Sequence, residues 1–135
     1  MRTSSILYST AAGLSVLGAV AHEIAGAPKV LGPLADSNLP QDVIWLHNFS
    51  WHVGTVAVLG MAALFIAATR AQSGRLMGVI ATAMSFGFAI LAIGLAVLGD
   101  PVVWSTPAPY PWTLIACLGF VGVLMHRTAD TNSAP

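Results

Sequence analysis

From Leu76 to Leu98 the chain carries no charged side chain, and residues 6–25, 44–68 and 110–125 form three further apolar stretches of similar kind. A helix needs about 20 mostly apolar residues to cross the hydrocarbon of a bilayer. Lipid offers no water to backbone N–H and C=O groups, so such runs must satisfy those groups internally, as helices do. The period-two alternation of a half-buried strand is missing. The predicted fold class is therefore all-α: an integral membrane four-helix bundle, one transmembrane domain over residues 1–135, with outer connections at 26–42 and 99–109. Composition agrees, since 56% of residues are hydrophobic and only 7% charged, against roughly 25% charged in soluble domains.

The direction of threading follows from the few cations. Arg2, Arg70, Arg75 and Arg127 fall on one side if every run crosses, and only Lys29 lies opposite. The positive-inside rule then makes both termini and the second connection, "RAQSGR", cytoplasmic. Trp45, Trp51, Trp104 and Trp112 all land near the outer ends of helices, where amphipathic rings favour the headgroup level. Pro109 and Pro111 mark the start of the fourth helix, because the first N–H groups of a helix have no internal acceptor. The tail "TADTNSAP" reads as a short disordered end, and the lack of long appendages points to a bacterial inner membrane. An alternative for the first run is a cleaved signal peptide, with Ala19-Val20-Ala21 as its small-residue site and His22 as the new terminus.

Several function classes fall away. The formal net charge is zero and no basic stripe exists to hold a phosphate backbone, so nucleic acid is not a partner. The single cysteine, Cys117, excludes an intrachain disulfide or a CxxC pair and is expected to be a small buried hydrophobe. No nucleophile elbow or phosphate loop is present to assign an enzyme class.

Small residues mark the faces by which membrane helices approach one another. They are Ala11, Ser15 and Gly18, leading to His22, in the first helix; Ala83, Gly87 and Gly94 in the third; and Gly119 and Gly122 in the fourth. The 13 glycines are dispersed, which suits packing within one bundle better than a dedicated dimer seam.

Ionisable residues at membrane depth are costly and mark candidate sites. His126 and Arg127 close the last helix at the cytoplasmic surface, where solvation suffices. His22, Glu23, His47 and His52 instead converge on the outer side from two consecutive helices. Five residues separate His47 from His52, about 140° around a helix and about 7 Å along it, so one ion cannot take both without distortion. Asn48, His52 and Thr55 share a polar stripe, whereas His47 shares one with Trp51 and Gly54, so His52 is expected to face inward and to pair with His22.

Three chemistries could use that pair. A zinc or copper ion would take His22, Glu23 and His52, with His47 and Asp100 as additional candidates. A haem could take two axial histidines. A proton-linked site would use histidine titration beside a carboxylate during transport of a small substrate. Against these stands a structural role in fixing helix depth, or an accessory subunit that packs on a homo-oligomer or a larger membrane-protein partner within the lipid bilayer. The connection "GAPKVLGPLADSNLPQD" is long for a helix hairpin. It is expected to lie over the outer mouth as a lid or an interfacial turn.

Overall fold

The computed structural model describes residues 3–70 and 74–131. Arg2, the middle of the second connection and tail residues 132–135 lie outside them. Every regular element among the described residues is helical. Four helices are long and apolar enough to cross a membrane: α1 (Thr3–Ala35), α2 (Gln41–Arg70), α3 (Gly74–Gly99) and α4 (Pro109–Thr131). They form an up-down-up-down ring in which each helix packs on its neighbours in sequence and α1 closes against α4. The protein is thus an integral membrane four-helix bundle with both ends of the chain on one side.

Helix α1 is longer than its apolar run. Residues 26–35, read as irregular from Gly26, Pro28, Gly32 and Pro33, continue the helix, and the first outer connection shrinks to residues 36–40. The device is a π-helical turn over His22–Gly26, closed by the Ala27 N–H on the His22 carbonyl. In a regular α-helix the Pro28 ring would strike the Ile24 carbonyl, and the wider turn relieves that clash. Near Asp36 the chain folds back through hydrogen bonds from Asp36 N to Gly32 O and from the Ser37 hydroxyl to Leu34 O. Helix α3 also ends outward in a π-turn, Leu95–Gly99. Asp100 then caps a 3-10 turn, Pro101–Ser105, by accepting from Val102 N at 2.8 Å. At the other end of the chain α4 runs on to Thr131, beyond the apolar run that ended near Met125.

Packing centres on Tyr8, Met61, Phe65 and Ile115, all fully buried, with small residues filling the rest. The inward stripe of α3 is Gly74, Gly78, Ala81, Thr82, Ser85 and Ala89, while Ala83 and Gly87 face outward. The reason is steric: a methyl on Gly78 would stand 2.5 Å from the Tyr8 hydroxyl, and one on Gly122 would stand 2.7 Å from Tyr8 Cε1. The stripe of α1 holds as read, with Ala11 and Ser15 fully buried and Gly18 beneath the Trp112 ring. Cys117 differs from expectation and is exposed; a small, weakly polar side chain facing lipid loses nothing, since lipid is as apolar as the core.

The tryptophans divide in two. Trp45 and Trp104 are exposed, as belt residues should be. Trp112 packs on Phe88 with ring centroids 5.2 Å apart, and Trp51 turns into the α1–α2 seam.

Candidate functional site

The outer ends of α1 and α2 meet along a seam with two flanks. On one, the His22 imidazole lies nearly parallel to the Trp51 indole, at 3.8 Å between centroids and 12° between planes. Its Nε2 donates to the Trp51 carbonyl at 3.4 Å. On the other flank Glu23 reaches across: its Oε1 accepts from the Thr55 hydroxyl and from His52 Nδ1, the latter at 3.2 Å. Neighbours on an α-helix point about 100° apart, and it is from the start of the wide π-turn that both His22 and Glu23 engage the same partner helix.

Trp51 decides this geometry. Gly26 lies opposite it, and a methyl there would stand 3.1 Å from indole Cζ2. The large ring therefore takes the close part of the seam and His52 is displaced to the edge. Its side chain is 58% exposed and that of Glu23 31%. The expected meeting of His22 with His52 is replaced by two separate contacts, His22 with Trp51 and His52 with Glu23. The polar stripe located His52 and Thr55 on the correct face toward Glu23, but at this depth a polar face can point to water as readily as inward. Trp51 went unrecognised as a seam residue, and Gly26, four residues after His22, is the signal that could have found it.

The remaining candidates lie apart from this contact. His47 is exposed, and its carbonyl accepts from the Ser50 hydroxyl at 2.9 Å. The Asn48 amide donates back to Ile44 O at 2.9 Å and serves its own helix. Asp100 is engaged as a cap in the other outer connection. Among the described residues no three His, Cys, Asp or Glu side chains gather closely enough to hold a metal ion.

Chemically, the Glu23 flank is a carboxylate that accepts two hydrogen bonds through one oxygen, beside an imidazole open to the outer medium. An exposed pair of this sort contributes about 0.2–1 kcal/mol to stability. Its value as a device lies in the change of charge when the imidazole takes a proton. With Nδ1–H directed at Glu23, His52 keeps Nε2 free to accept.

Two open apolar grooves flank Tyr110 and Leu114 on α4, each of about 500 Å³. One is lined by Leu14, Leu17 and Gly18 of α1, the other by Ile93 and Cys117. Both suit acyl chains and neither contains the histidines. No family model, curated protein or solved structure matches the chain.

Proposed function

We propose that this chain is a proton-responsive protein of a bacterial inner membrane, in which Glu23, His52 and Thr55 form a protonatable latch between α1 and α2 at the outer face. The carrying observation is the Glu23 oxygen shared by His52 and Thr55 at the open edge of the seam. When His52 is neutral its Nδ1–H donates to the charged Glu23 carboxylate; when it is protonated the attraction of opposite charges is added to that hydrogen bond. The outer pH thereby sets how firmly α1 holds α2. A small proton-coupled transporter would use the same change to bias its helices.

The His52 ring itself supplies the readout: its Cε1 proton resonance, followed as the pH drops from about 8 to 5, the range in which histidine changes charge, should shift in the parent. In Glu23→Gln that profile should move, since the latch no longer carries a negative charge. A flat profile in the parent, or the same profile in Glu23→Gln, would sink the reading.

A second reading is favoured by the direction of the His52 hydrogen bond. A carboxylate that holds the Nδ1–H of an imidazole orients the free Nε2 toward a metal. His52 would then be a ligand for zinc or copper, with His22 joining it only after leaving Trp51. A haem would likewise need His22 released. Stoichiometric metal or haem in the purified protein that disappears in His52→Ala but stays in His47→Ala would support it. A third reading, a subunit of a homo-oligomer or larger complex, draws on Gly13, Gly60 and Gly87, which face outward with nothing within 4 Å of an added methyl.

A further inference from the structure

The outer part of the α1–α2 hairpin has little core of its own. Among the described residues from His22 to Trp51, only Ile44 is buried. The two sides of the hairpin differ in what they turn outward. Helix α1 exposes Pro28, Lys29, Gly32 and Pro33. Helix α2 exposes Trp45, Leu46 and Phe49, at 68%, 65% and 68%, and Val53 and Val56 continue the same face inward. Leu46, Phe49, Val53, Val56, Gly60 and Ala63 recur at steps of three and four, and all are exposed. That is the spacing by which two helices meet along a seam. The stripe lies opposite Val58, Met61, Ala62 and Phe65, which face the bundle.

Inside hydrocarbon an apolar helix face needs no protein partner, because lipid covers it. With Arg70 at the inner surface, a hydrocarbon layer of about 30 Å takes about twenty residues of α2 and ends near Ser50. Phe49 and Leu46 therefore stand at and above that edge. Trp45 suits the headgroup level, since its ring carries an N–H, but Leu46 and Phe49 have no polar atom to offer there. Water covers them unless protein does. At about 150–250 Å² for an aromatic side chain, and at these exposures, the face from Trp45 to Ala63 has roughly 600–800 Å² to bury. A standard protein interface takes about 800 Å² from each partner, so the face is large enough to hold one.

We infer that this face of α2 is where a second copy of the chain docks, α2 against α2 about a two-fold axis normal to the membrane. A shared direction of threading sets the geometry. Two copies in one membrane present Leu46 and Phe49 at the same height, so each side chain meets its own counterpart, as an interface of two-fold symmetry requires. Further in, Gly60 has nothing within 4 Å of an added methyl, and with Ala63 it lets the two backbones approach closely. Asp42 lies on the same side two turns above Phe49 and is exposed, so the repulsion between two copies there is screened by water and salt. The inference gives the third reading above a definite face and rests on that reading, and it does not depend on the protonation of His52.

The test uses the full chain in phosphatidylcholine vesicles at a high ratio of lipid to protein. Energy transfer between donor-tagged and acceptor-tagged copies should show a dimer. Leu46→Ser combined with Phe49→Ser should weaken that association about tenfold or more, read as the lipid dilution that separates the copies. Helical content should stay that of the parent, because neither side chain lies in the core of a single copy. In a Cys117→Ser background a short bis-maleimide should join two copies through Phe49→Cys and not through Ile24→Cys, which is equally open at 74% but off the stripe. No energy transfer in the parent overturns the inference and removes the homo-oligomer from the third reading. A dimer that survives the double variant, or that is joined as well through Ile24→Cys, overturns this face alone and leaves a homo-oligomer built on another.

Discussion

The two polar regions of this bundle obey opposite rules. At the outer seam Glu23 and His52 sit partly in solvent, bond to each other across two helices and leave large neighbours such as Trp51 to make the packing. In the inner layer Tyr8 and Thr82 are almost wholly covered and are seated by glycines. Removing a polar contact at the seam exposes its partner to water. A comparable change in the inner layer alters space that nothing else can fill. Stability should therefore depend steeply on the inner layer and weakly on the seam, while dependence on the outer medium should follow the seam.

The contrast is broken most directly at Tyr8. Tyr8→Ala should lower stability by about 3–5 kcal/mol, the range for deleting a large buried aromatic side chain, read as reversible denaturation in mixed micelles. A loss comparable to that of a surface change would mean that the inner layer relaxes freely. The glycines of α3 and α4 sharpen the comparison. Gly78→Ala and Gly122→Ala should each cost about 1–3 kcal/mol through overpacking against a ring that has no room to move, whereas Gly87→Ala, with no neighbour within 4 Å, should be neutral or slightly stabilising. Equal costs at Gly78 and Gly87 would contradict the assignment of faces on α3. The smallest effects belong to the seam. Glu23→Gln and His52→Ala should change stability by less than about 1 kcal/mol and His47→Ala by nothing measurable, while the pH profile of the His52 ring moves in Glu23→Gln and stays in His47→Ala.

The spans were legible because the bilayer sets their length and leaves one backbone solution. Their number and order, and the small-residue face of α1, follow from the apolar runs alone. The extent of α1 was not legible: Pro28 and Pro33 read as stops, and nothing in the order of residues announces a π-turn that accommodates them. Glu23 and His52 could be named as neighbours from their shared depth. Their pairing could not, because it depends on which ring, Trp51 or His52, takes the tight part of the seam, and Gly26 opposite Trp51 decides that. The inner layer was hidden for another reason. Nothing in the sequence singles out Tyr8, and His126 reads as solvated; only the contact with Gly78 and Gly122, from helices far along the chain, draws Tyr8 into the centre.

Helix α1 spans 33 residues and α2 spans 30, whereas α3 spans 26. At 1.5 Å per residue these are about 50, 45 and 39 Å, against a hydrocarbon layer of about 30 Å. The α1–α2 hairpin must either tilt or stand clear of the membrane, and how far depends on the thickness of the surrounding lipid. In a thin bilayer Glu23 and His52 would be lifted into a watery, high-dielectric zone; in a thick one they would sink toward the acyl chains, where their mutual attraction strengthens and the imidazolium is harder to hydrate. The lipid around the protein would then tune the latch without touching any of its atoms.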